Sequence, residues 1–128
     1  MGIVRYMAKE MIKEIGNKSR EFYEFVLPPI DMYVDGDSLI VVIDLPGFEK
    51  KDIKLTLHRN MLSVKAEKQE QQKVDVVCKQ RPNIIDKKIL LPIHVKEDED
   101  AVSSAKFSQG VLTVKIPMTQ KGKQITIE

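Results

Sequence analysis

The sequence predicts an all-β sandwich preceded by an amphipathic helical arm and followed by an extended tail. Three observations lead there. From about Met32 to Met118, apolar residues recur at every second position, the period of a half-buried strand. Ahead of that zone, Val4, Met7 or Ala8, Met11 and Ile15 recur at helical spacing. Beyond it, Ile125 and Ile127 stand two residues apart, past the polar stretch Thr119-Gln120-Lys121-Gly122-Lys123 that reads as a hinge. The chain accordingly divides into an arm (1–29), a β domain (30–118) and an extension (119–128).

In the arm, Ile3 and Ile12 widen the apolar stripe while charges fill the opposite face, and Gly16-Asn17 is expected to end the helix. Phe22-Tyr23-Glu24-Phe25-Val26-Leu27 follows and is stopped by Pro28-Pro29. Four of the seven aromatic residues (Tyr6, Phe22, Tyr23 and Phe25) therefore precede the first strand. Two readings stand: the arm packs on its own domain, or Val4, Met7, Met11, Ile15, Phe22, Tyr23 and Phe25 form an adaptable surface for partners. Met and aromatic side chains suit the second role because they repack at low cost. A lipid surface is a poorer partner, since the polar face carries both signs of charge rather than a Lys/Arg excess.

Within the β domain, Asp35-Gly36 is a hairpin signal between Met32-Tyr33-Val34 and the run from Ser38 to Leu45, whose continuous apolar stretch predicts a strand buried on both faces. Ile53, Leu55 and Leu57 alternate with Lys54, Thr56 and His58; Arg59-Asn60 turns the chain, and Leu62, Val64 and Ala66 alternate again. Val74, Val76 and Cys78 form a short alternating stretch inside the otherwise polar connection from Glu67 to Arg81. Ile89, Leu91, Ile93 and Val95 predict another strand, and Ala105 with Phe107 pairs across Gly110 with Leu112, Val114 and Ile116. Seven or eight short strands with regular turns and no internal helix argue a sandwich.

The Ile125-Thr126-Ile127 tail places two β-branched side chains on one face of an extended segment. It folds back as an edge strand, or it plugs a groove on a neighbouring copy. Burying two Ile contributes about 3 to 6 kcal/mol at most, against about 1 to 2 kcal/mol for each residue ordered. One docked tail is therefore weak, and many together can hold a particle.

Composition narrows the function. A chain of 128 residues suits one domain with appendages. Its net charge of +2, with Lys and Glu interleaved, implies no nucleic-acid partner. Cys78 is the single cysteine, which excludes an intramolecular disulfide, favours a reducing compartment and suggests a small packed hydrophobe. The longest uninterrupted apolar run, Leu39 to Ile43, is too short to span a bilayer, and Arg5, Lys9, Glu10, Lys13 and Glu14 break any secretory signal. A soluble cytoplasmic protein without stable membrane insertion is expected. There is no phosphate loop, and His58 and His94 are isolated. Glu97-Asp98-Glu99-Asp100 lacks the Gly turn and ligand spacing of a calcium loop. No catalytic residue, cofactor or metal is expected.

Several stretches in order resemble one family. Asp44-Leu45-Pro46-Gly47-Phe48-Glu49-Lys50-Lys51-Asp52-Ile53, Leu62-Ser63-Val64-Lys65-Ala66-Glu67, Leu91-Pro92 and the run from Ala105 through Gly110 to Pro117 look like the α-crystallin domain of the small heat-shock proteins, and Ile125-Thr126-Ile127 resembles that family's Ile-x-Ile tail. The resemblance implies an immunoglobulin-like β-sandwich and an ATP-independent holdase chaperone for partly unfolded client proteins, assembled from dimers into large homo-oligomers. It implies that the strand holding Val74 and Val76 crosses to a partner subunit near Met32 and Val34, and that the tail enters a groove lined by Leu55, Leu57 and Ala105. Two departures are visible. Pro82-Asn83-Ile84-Ile85 replaces the usual aromatic-Gly step, and Lys87 stands where the family usually has Arg, so a bidentate contact to a carboxylate is lost there. The alternative is a non-catalytic co-chaperone or adaptor that binds one folded partner and has no need of the Ile pair.

Overall fold

The computed structural model describes residues 2–69, 74–93, 95, 103–119 and 125–128. A long helix, α1 (Gly2–Val26), leads into β1 (Ile30–Asp35), β2 (Ser38–Asp44), a 3-10 turn (Lys50–Asp52), β3 (Ile53–His58), β4 (Met61–Glu67), β5 (Ile84–Leu90), β6 (Ser104–Ser108) and β7 (Val111–Pro117). The strands form two antiparallel sheets, ordered β1-β2-β7-β6 and β3-β4-β5, which pack as the expected sandwich.

Alternation places the core. Leu39, Val41 and Ile43 of β2 pair in register with Ile116, Val114 and Leu112 of β7, and all six are buried. In the other sheet Leu62 and Ala66 of β4 stand opposite Ile89 and Ile85 of β5, again all buried. Leu45, Phe48 and Leu91 close the cluster from loops. The apolar run in β2 is buried on both faces as far as Ile40, which lies between Tyr33 of β1 and Lys115 of β7 in the ladder; Val42 is half-buried.

Three expectations need correction. The helix does not end at Gly16-Asn17 but runs to Val26. Gly16 serves packing instead of capping: a Cβ there would lie 2.9 Å from Cys78 Sγ and 2.9 Å from the Lys79 backbone nitrogen, so only glycine lets the helix approach this closely. An ion pair between Glu14 and Lys18 (3.5 Å) spans it, and a second between Arg20 and Glu24 (3.8 Å) lies in the continued helix. The stop comes from Pro28, which disfavours helical geometry at Leu27.

Second, Cys78 is exposed rather than packed, since the connection that carries it lies on the surface. Residues 74–78 of that connection lie outside any ladder of the single chain, in which β1 pairs with β2. Third, the strand expected from Ile89 to Val95 is shifted. β5 starts at Ile84 and ends at Leu90, the Leu91 amide turning aside to donate to the Asn60 carbonyl (2.7 Å) just before Pro92. Val95 makes only an isolated bridge to Met118.

Candidate functional site

The arm carries a row of exposed large hydrophobic residues. Met7, Met11, Ile15 and Phe22 recur at steps of four, four and seven and so share one face of α1, with Phe25 three residues further. All five are exposed, Met11 by 63% and Phe25 by 77%. Val4 belongs to α1, but its side chain lies outside the described residues.

The opposite face of the helix is the docked one. Lys9 and Gly16, seven residues apart, both meet the 75–79 segment: Lys9 Nζ donates to Asp75 Oδ2 at 2.8 Å, and Gly16 abuts Cys78 and Lys79. That hydrogen bond and the charge pairing raise the Lys9 ammonium and lower the Asp75 carboxyl from their ordinary ranges. Near the helix C-terminus, Glu24 Oε1 accepts from the Asn83 backbone amide at 3.2 Å, and the Lys87 ammonium donates to the Phe25 carbonyl while standing 5.4 Å from the centre of the Phe25 ring. Polar and small residues thus seat the arm, and its apolar stripe stays outside. Tyr23 departs from the stripe. Its ring meets Phe22 edge-on at 5.8 Å and also lines a cleft with Leu27, Pro46 and Pro82.

The remaining candidates lie on sheet edges. β3 and β6 are the outer strands of their sheets. Leu55 and Leu57 of β3 are half-buried against the core, while Ala105 of β6 is exposed. Phe107, two residues on, faces the same way as Ala105 and packs on the same core; the period of two along β6 marks it as a further lining residue beside Ala105. On the far edge, Met32, Tyr33 and Val34 of β1 are exposed large hydrophobics, as are Val74 and Val76 in the connection. Ile125 and Ile127 belong to no ladder within the chain and are 84% and 93% exposed, so the fold-back strand is absent from this structure.

Among the described residues no group of His, Cys, Asp and Glu is placed to hold a metal ion. His58 is exposed, and His94 and Glu97 to Asp100 lie outside the described residues. No helix among the described residues is long and apolar enough to cross a membrane.

A sandwich of four and three strands with exposed apolar edges, arm and tail defines the α-crystallin type of domain. The Hsp20/alpha crystallin family model matches residues 31–128, and the chain belongs to that family, the small heat-shock proteins. It is 32% identical over 102 residues to the 18 kDa antigen 2 of Mycobacterium avium, covering 78% of this chain and 72% of that one. It is 31% identical over 99 residues to the 18 kDa heat shock protein of Streptomyces albus G, covering 75% and 68%. Among solved structures, a mutant of hsp14.1 from Sulfolobus solfatataricus P2 superposes with a TM-score of 0.71 at 46% identity, covering 77% of this chain and 84% of that one. Heat shock protein 16.0 from Schizosaccharomyces pombe gives 0.60 at 27% identity, covering 79% and 82%.

Proposed function

We propose that this small heat-shock protein is a cytoplasmic, ATP-independent holdase that keeps partly unfolded client proteins from aggregating, without catalysis or cofactor. The observation that carries the reading is the stripe of Met7, Met11, Ile15, Phe22 and Phe25, left exposed while the opposite face of α1 docks. Exposed apolar area attracts unfolded chains by the non-directional burial that drives folding. Contacts of this kind are individually weak, so a client can leave without ATP.

Assembly follows from the edges. The exposed Val74 and Val76 pair with a partner's β1 beside Met32 and Val34, giving a strand-exchanged dimer, because an alternating segment without a ladder needs an edge to bury its side chains. The exposed Ile125 and Ile127 dock between β3 and β6 of another subunit, against Leu55, Leu57 and Ala105 with Phe107 beside them, and so join dimers into larger particles. On this reading the arm comprises 1–29, the domain 30–118 and the tethered tail 119–128.

Removal of residues 1–27 tests the assignment of activity to the arm. The truncated protein is expected to keep its β signature by circular dichroism and to lose suppression of a heat-denatured client's aggregation. Full protection by the truncated form would move the client site to the groove at Leu55, Leu57 and Ala105.

A further inference from the structure

Gly47, in the Leu45-Pro46-Gly47-Phe48 turn, has φ +84°, a left-handed conformation that favours glycine. The space its missing side chain leaves is filled by positive charge: a Cβ there would collide with Arg81 Nη2 and lie 3.4 Å from Lys68 Nζ. Two cations therefore converge on one point above a bare backbone. Lys68 rests 5.1 Å from the centre of the Phe48 ring, and among the described residues neither cation is ion-paired with a carboxylate. Burial first, then Arg81 and Lys79, hold the Lys68 ammonium below its ordinary range, with Asp52 a smaller opposing influence.

Like charges held together beside a partly dry cavity are unfavourable until an anion joins them. The cavity is there. It measures about 300 Å³ and sets an apolar wall of Tyr23, Leu27, Pro46 and Pro82 beside Lys68 and Arg81. We propose that this cleft binds a phosphate monoester with an apolar body, its phosphoryl group on Lys68 and Arg81 and its body against Tyr23, Leu27 and the two prolines. A phosphate monoester carries about −1.5 to −2 charge at neutral pH, which matches the two cations. The Arg fork takes two of its oxygens and Lys adds a point charge, while Gly47 leaves room for the two cations to meet. Because Tyr23 and Leu27 belong to the arm side of the cleft, an occupied site also favours the seated arm.

A small ester and a phosphotyrosine on a peptide share this chemistry. The experiment is calorimetric titration of the full-length assembled protein, at fixed ionic strength, with inorganic phosphate, phenyl phosphate and a phosphotyrosine peptide. Phenyl phosphate is expected to bind at least about tenfold more tightly than inorganic phosphate, and Lys68→Gln and Arg81→Gln each to weaken it by about tenfold with circular dichroism unchanged. Tighter binding of the peptide assigns the group to a protein chain, and weaker binding assigns it to a small molecule; either supports the site. Equal affinity for the two simple phosphates, unchanged affinity in the Lys68→Gln/Arg81→Gln double variant, or no saturable binding up to about 10 mM overturns the proposal.

Discussion

Lys87 occupies a position where an apolar residue would be expected from its neighbours. It lies on the core-facing side of β5 opposite Val64, between Ile85 and Ile89 on the same face. Its stem crosses that apolar ground, and its ammonium emerges at the end of α1 to bond the Phe25 carbonyl. A cation at a helix C-terminus satisfies an otherwise orphan carbonyl and complements the helix dipole. One carbonyl needs one donor rather than a planar fork, so a Lys suffices for this contact.

Two predictions belong to this scale. Leu62, 1% exposed, is central to the three-stranded sheet, and Leu62→Ala should cost about 2 to 5 kcal/mol. Chemical unfolding at fixed protein concentration would show this as a lower midpoint with an unchanged slope. The Lys9–Asp75 contact should be pH-dependent in a definite direction. The Asp75 carboxyl is lowered from its ordinary 3.8, so the contact is complete above that value and is lost as pH falls through the lowered one. The Lys9 ammonium is raised, so the contact survives until pH rises through that raised value. Hydrogen exchange of residues 75–79 should therefore quicken, relative to its intrinsic rate, as pH falls below the ordinary carboxylate range, and loss of Lys9 should quicken it already at neutral pH and remove the acid step; no acid step in the full chain, or neutral-pH exchange unchanged on loss of Lys9, would contradict it.

At the scale of elements, the 74–78 segment and α1 depend on each other. The segment has the alternation of a strand, yet in one chain it lies outside any ladder and, with the adjoining Lys79, serves as the seat of the helix through Asp75 and Cys78. Exchange into a partner's β1 edge would give the same residues a ladder. Val76→Asp tests that step. A carboxylate placed in a half-dry ladder has no partner, so the variant is expected to sediment as a monomer with its sandwich folded. A variant that still sediments as a stable dimer would show that dimerisation does not use this segment.

For the whole molecule, the buried core and the exposed tail are separate surfaces. The sandwich core draws on Leu39, Val41, Ile43, Leu62, Val64 and Ile116, none of which lies in the arm or the tail. Replacing Ile125 and Ile127 together with Ser should therefore leave the β signature intact while reducing the particle to dimers or small species by light scattering. The lost burial is several kcal/mol per contact at most, about 1.5 to 3 for each Ile, and it matters because assembly sums many such contacts. An unchanged particle size would exclude the tail as a joint.

The sandwich and the inner faces of β2, β4 and β7 were legible in the residues, as was the shared face of Ile125 and Ile127, because a period of two assigns sides without reference to anything distant. The family motifs were equally local. Tertiary structure alone decided four matters. The helix passes Gly16 because the close approach of Cys78 and Lys79 makes a bare Cα useful there, a fact that no local propensity contains. β5 runs over Ile84–Leu90 because its register follows β4, to which it is hydrogen-bonded, and the chain beyond turns off at Leu91 and Pro92. The outward stripe of α1 was visible as a stripe, but only the seating of Lys9, Gly16 and Glu24 on the connection determines that it faces away from the domain. The convergence of Lys68 and Arg81 on Gly47 joins residues far apart in the chain, and spacing along a sequence carries no signal for a meeting made by folding.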